Sequence, residues 1–267
     1  MNKIKKILFN VTKKIIKYLL NKLGYKITKE DALEISIPVE ASSNEVELIH
    51  AVKEYSMTDY KNLYLSTQVA KYVSETNVEG DIVECGVWKG GHLIVFKSLC
   101  DKYNLDKKIF AYDTFEGMTD SSDDDFNYKG EKAIELLKNT SANENDGDNI
   151  WCYASLDLVK KNITNVLGNI DNINFIKGDV ADTLQEKKNL PNKISILRLD
   201  TDFYESTKIE LEILYPLLQE GGILIVDDYG HWSGAKKAVD EYFKNSYHFK
   251  HVINGTCRMI IKKYLTI

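Results

Sequence analysis

The sequence is poor in residues that punctuate or staple a chain. Three prolines (Pro38, Pro191, Pro216) and 15 glycines in 267 residues exclude collagen-like and low-complexity readings. Its four cysteines (Cys85, Cys100, Cys152, Cys257) form no CxxC pair and show no metal-ligand spacing. They read as reduced thiols in a cytoplasmic protein, not as a disulfide framework. Arginine occurs only at Arg198 and Arg258, and the net charge is −5, which argues against nucleic acid as a partner. No apolar run approaches the roughly 20 residues of a membrane-spanning helix. What is present, 43% hydrophobic and 28% charged residues, suits one large globular domain with a sizeable core.

The charge is unevenly placed. Residues 1–29 hold nine lysines and no acid, leaving −14 for the rest of the chain. Lysines interrupt every apolar run there and no small-residue cleavage site follows, so the segment does not read as a secretory signal. Ile4, Leu8, Val11, Ile15, Leu19 and Leu23 share a helical face, which predicts a basic amphipathic helix ending at Gly24. Residues 1–24 would then meet an anionic membrane surface, peripherally at the inner face, or a partner. A helix packed on its own domain, or in a homo-oligomer contact, fits the same pattern.

Residues 30–54 are acidic and broken by Pro38, and read as a linker and leading segment. Residues 59–76 predict a helix. Short apolar runs follow at Asp81–Cys85, Ile109–Tyr112, Ile173–Ile176, Ile194–Leu199 and Ile223–Val226. Helical stretches alternate with them at His92–Tyr103, Leu156–Leu167, Ser206–Leu218 and Ala235–Phe243. The fold class is therefore α/β, a Rossmann-like parallel sheet with helices on both faces. Asn254-Gly255 between two late runs predicts a terminal antiparallel hairpin. Residues 117–150 form a long polar insertion directly after the second strand, where a lid over a ligand belongs.

Every strand of the alternating region delivers an acid to one sheet edge. Glu84 ends the first and Asp113 follows the second; Asp179 follows the third. Asp200 and Asp202 follow the fourth, and Asp227 and Asp228 the fifth. Like charges so placed are costly unless a cation or hydrogen-bond donors meet them. Gly86, Gly90 and Gly91 open the first strand-to-helix loop and leave no Cβ to obstruct a ligand. Asp113 is placed to accept both hydroxyls of a ribose. A nucleoside bearing a carboxylate, such as S-adenosylmethionine, fits that pair better than a dinucleotide. Asp200 with Asp227 and Asp228 offers three hard oxygen ligands suited to Mg²⁺.

The segments VECGVWKGG (83–91), YDTFEGM (112–118), LRLDTDFYEST (197–207), LYPLLQEGGILIVDDYG (214–230) and GAKKAVDEY (234–242) resemble the macrocin O-methyltransferase (TylF/MycF/NovP) family of class I S-adenosylmethionine-dependent methyltransferases. The resemblance covers residues 55–262, and the basic helix at 1–29 lies outside it. It implies Mg²⁺-dependent methylation of a sugar hydroxyl in a glycan, glycolipid or glycosylated metabolite. By that resemblance Glu84 and the Gly86–Gly91 loop surround the methionine part of the cofactor and Asp113 holds its ribose. Ser155 and Asp179 lie near the adenine. Asp200, Asp227 and Asp228 match the metal ligands, and Asp202 the general base.

Two alternatives stay open for the chain, and one for Asp202. A catechol-like acceptor would use the same metal, but wants apolar walls where the insertion is polar. A non-catalytic cofactor-binding scaffold would have no need of three metal ligands. Asp202 also fits a helix N-cap, since Glu205 stands three residues on as in a capping box.

Overall fold

The computed structural model describes residues 22, 37–142, 149–244 and 250–263. The chain divides into two units, residues 1–39 and 40–267. Apart from Lys22, the segment expected to form the basic helix lies outside the described residues.

The second unit is built on a seven-stranded sheet of order β3-β2-β1-β4-β5-β7-β6. The strands are β1 (Asp81–Cys85), β2 (Ile109–Asp113), β3 (Ile173–Lys177), β4 (Ile194–Leu199), β5 (Leu218–Val226), β6 (His251–Val252) and β7 (Arg258–Ile261). The first five are parallel, and β7 runs antiparallel to both β5 and β6. All six residues of β4 are buried, as a central parallel strand covered on both faces requires.

Helices α1 (Ser43–Val52), α2 (Tyr60–Thr76), α3 (Gly91–Tyr103), α4 (Ala133–Lys138), α5 (Leu156–Leu167), α6 (Val180–Thr183), α7 (Tyr204–Leu214) and α8 (Ser233–Tyr242) complete the unit. Leu211 and Leu214 of α7, with Val239 of α8, pack on Val83, Cys85, Leu197 and Leu199. Side chains alternate along a strand, so Glu84 and Arg198 belong to the opposite face. There α2 and α3 pack together and reach β4 and β2 respectively.

The expected strands and hairpin are present, with β5 starting earlier than its apolar run. Residues 43–52, read as linker, form α1 instead. Ser42 and Glu45 close a capping box, the Ser42 N–H donating to Glu45 Oε2 at 2.8 Å, and Ile49 and Val52 are buried. Helix α7 begins two residues before its expected start and stops at Leu214, where a 3₁₀ turn containing Pro216 takes over. The insertion is partly built into the domain. Phe126 bridges to Lys132 and Asn127 to Trp232. The buried carboxylate of Asp125 accepts the Tyr204 N–H at 2.8 Å.

Candidate active site

The carboxyl ends of β1, β2, β4 and β5 open into one cavity of about 570 Å³, the size of a small-molecule site. Glu84, Gly86, Gly91, Asp113, Asp200, Asp202, Asp227 and Asp228 all line it. Gly90, Ser155 and Asp179 do not. Gly90 is the N-cap of α3. The Ser155 hydroxyl accepts the Leu158 N–H at the start of α5, and Asp179 accepts the Ala181 N–H ahead of α6. The acids of four strands, not five, therefore reach the cavity, because the third is used as a helix cap. Its neighbours Gly178 and Val180 line the wall in its place.

Arg198 is the charged centre of the site. It is 1% exposed, and Glu84 stands level with it on the adjacent strand. Its Nη1 donates to Glu84 Oε1 at 3.1 Å and to Asp200 Oδ2 at 2.7 Å. Its Nη2 lies 3.4 Å from Asp227 Oδ1. One guanidinium thus faces three carboxyl groups.

Asp200, Asp202 and Asp228 each offer an oxygen within 4.8 Å of the other two. Asp227 stands beside this trio. Its Oδ1 accepts from Asn62 Nδ2 at 2.7 Å. Burial, followed by like charge, pushes Asp227 up to about 8 and Asp228 well above the carboxylate range. Burial also raises Asp202 to about 7, against a hydrogen bond from Asp228 that lowers it. Asp228 Oδ2 is buried without a hydrogen-bond partner among the described residues.

Asp202 does not cap α7. The N-cap is Phe203, with no side-chain cap bond, and the Tyr204 N–H is taken by Asp125 from the insertion. Asp202 has φ +67° and the Phe203 N–H bonds the Thr201 carbonyl at 2.7 Å, a tight γ-turn. Trp88 and Cys152 also line the cavity with positive φ, at +47° and +46°. Three non-glycine residues in this region at one cavity mark a strained site.

The glycine loop also serves the packing of the protein itself. A Cβ on Gly86 would lie 2.0 Å from the Asp200 carbonyl oxygen, and one on Gly91 would lie 2.7 Å from that of Tyr55. At Gly90 the nearest atom would be a Val159 methyl at 3.2 Å. These positions are crowded by the protein's own atoms, and Gly86 brings β1 against the loop that carries Asp200 and Asp202. Asp113 fixes the glycine loop after β1, its Oδ2 accepting the N–H groups of Val87 (2.6 Å) and Trp88 (3.1 Å), while its Oδ1 accepts that of Phe115 (2.6 Å) in its own loop.

Some cavity residues carried no signal in sequence. His92 is buried between Ser66 Oγ (2.8 Å, to Nδ1) and Thr58 Oγ1 (3.0 Å, to Nε2), and burial drives its pKa well down. Residues Tyr55–Asp59 form a wall. Asn62, a buried amide on α2, was indistinguishable from any polar helix position.

The family model of the macrocin O-methyltransferases (TylF) matches residues 13–256. The match begins inside the basic segment, so residues 13–29 fall within the family region and not outside it as expected. Demethyldecarbamoylnovobiocin O-methyltransferase of Streptomyces niveus is 32% identical over 189 residues, 70% of this chain and 67% of that protein. The 8-demethyl-8-(2,3-dimethoxy-alpha-L-rhamnosyl)-tetracenomycin-C 4'-O-methyltransferase of Streptomyces olivaceus is 29% identical over 189 residues, with the same shares. The solved structure of the O-methyltransferase NovP superposes with a TM-score of 0.68 at 29% identity, over 79% of this chain and 83% of that one. The chain belongs to the macrocin O-methyltransferase (TylF) family and is a class I S-adenosylmethionine-dependent O-methyltransferase.

Proposed function

We propose that the enzyme methylates a sugar hydroxyl of a glycosylated metabolite, glycolipid or glycan, with a divalent cation, Mg²⁺, at its acidic site. The observation that carries this is the convergence of Asp200, Asp202 and Asp228, together with a buried Asp228 Oδ2 that has no hydrogen-bond partner among the described residues. The residues fit a hard cation. Among the described residues no basic side chain forms an ion pair with Asp202 or Asp228, so positive charge is short where acids are densest. Asp200 and Asp228 would hold the ion, with Asp227 contributing from its place beside Asp200. The named relatives support the acceptor class, since one acts on a rhamnosyl tetracenomycin.

S-adenosylmethionine supplies an electrophilic methyl group, and a divalent ion would acidify a hydroxyl bound to it. The chain itself must align the acceptor oxygen and take its proton. Asp202 is suited to that step, with a carboxyl near 7 in reach of the metal residues and no helix to cap. Glu84, Gly86, Gly91 and Asp113 would surround the cofactor. Gly178 and Val180 stand beyond the end of β3, where the adenine was expected, while Ser155 and Asp179 cap α5 and α6.

The insertion refines the acceptor. Although polar overall, it presents Met118, Leu136 and Ile150 to the cavity. That favours an acceptor with an apolar body beside its sugar, and keeps a catechol-like acceptor as the second reading. Turnover of glycosides but not of the matching catechols would separate the two. Asp200→Asn should abolish turnover and weaken Mg²⁺ binding while S-adenosylhomocysteine affinity stays within about twofold, all read by calorimetry and methyl transfer. Near-wild-type turnover would defeat the metal reading. Residues 1–24 are proposed to bind an anionic membrane surface, and vesicle co-sedimentation unaffected by their deletion would refute it.

A further inference from the structure

Asn62 is 3% exposed, on the first turn of α2, and its amide is held at both ends. Its Nδ2 donates to Asp227 Oδ1 at 2.7 Å, and its Oδ1 accepts from Asn254 Nδ2 at 2.8 Å. Asn254 has no freedom to turn. Its Oδ1 already accepts the N–H groups of Thr256 (2.9 Å) and Cys257 (2.8 Å) in the β6–β7 turn. Its NH₂ must therefore face Asn62, and the NH₂ of Asn62 must face Asp227. The orientation that looks arbitrary for an isolated amide is dictated here by two backbone donors.

The same Asp227 oxygen lies 3.4 Å from Arg198 Nη2. Oδ1 thus accepts from an amide and lies within ion-pair range of a guanidinium, which leaves the other oxygen the freer one for a ligand. A carboxylate limited to one oxygen suits Mg²⁺, which is small and demands near-octahedral geometry. Ca²⁺ takes six to eight oxygens and readily uses both oxygens of one carboxylate. We infer that Asn62, locked by Asn254, is a positioning residue that sets the cation preference of the site by keeping Asp227 from binding through both oxygens. This rests on the proposed metal role of Asp227.

The test is calorimetric titration of the full chain with Mg²⁺ and, separately, Ca²⁺, for wild type, Asn62→Leu and Asn62→Ala. The alanine variant keeps the comparison available if leucine is not accommodated. Wild type should prefer Mg²⁺. In the variants Mg²⁺ binding should weaken on the order of tenfold, the usual effect of losing a partner behind a metal ligand. Ca²⁺ binding should weaken less or strengthen, moving the ratio of the two dissociation constants about tenfold toward Ca²⁺. S-adenosylhomocysteine affinity without metal should stay within about twofold, which general misfolding would not allow. An unchanged ratio in folded variants, with Mg²⁺ bound normally by wild type, overturns this inference alone. Wild type binding neither ion overturns it together with the metal reading.

Discussion

Glu84 and Arg198 occupy the same register level on neighbouring parallel strands, and they meet at 3.1 Å with both side chains 1% exposed. The pairing follows from strand alternation, because Val83, Cys85, Leu197 and Leu199 take the opposite face. It places a permanent positive charge under a row of acids. The arginine also holds Asp200, so the sides of the cavity proposed for the cofactor and for the metal share one counter-ion.

Arg198→Met should therefore be strongly destabilising. It leaves Glu84 and Asp227 buried without their cation, which costs about 3–5 kcal/mol in comparable buried pairs. Urea unfolding measures the loss. Adding Glu84→Gln should recover part of it, because a neutral amide no longer needs the guanidinium. A change below about 1 kcal/mol in the single variant would show that the pair contributes little.

Stability without metal should fall as pH rises from about 4 to 8. Burial raises Glu84 to about 8, Asp227 to about 8 and Asp202 to about 7, from ordinary values near 4. The folded chain then binds more protons than the unfolded chain across this window. That stabilisation is complete below the ordinary values and is lost as pH passes through the raised ones. Thermal unfolding in EDTA should show a Tm that declines toward pH 8. Millimolar Mg²⁺ should flatten the decline, the cation taking the place of the protons. A Tm independent of pH in EDTA would contradict the assignment.

Gly86→Ala should remove activity while most of the fold survives. The new Cβ would sit 2.0 Å from the Asp200 carbonyl, at a φ of +79° that alanine resists. The Asp200–Asp202 loop must move, and an ångström there costs about a hundredfold in rate. Methyl-transfer assays beside a thermal melt would check this. Normal turnover would mean that the contact between β1 and the loop is dispensable.

The sheet was legible because each strand is a short apolar run between turn residues, and the acids because each follows such a run. The capping box at Ser42 and Glu45 was equally local, but the acidic composition around it read as linker. Other features were beyond sequence. Nothing near Asn62 marks it as the partner of an acid 165 residues away. Asp125 looks like one more residue of a polar insertion, yet it caps a helix 79 residues on. The glycines were recognised as places of close approach, but what approaches is set by tertiary packing. Ser155 and Asp179 show the converse, where a position correct in chain order serves as a cap outside the cavity.

The clasp between Asn62 and Asn254 joins residues 192 positions apart. A ribosome adding about 5–20 residues per second needs roughly 10–40 s to travel that distance. The strands that would cradle the cofactor, β1 to β3, emerge well before the turn that locks Asp227. The residues proposed to meet the cofactor on β1 and β2 are thus made long before the turn that holds Asn62. The side proposed to face the metal therefore cannot be fastened until the β6–β7 turn has been made.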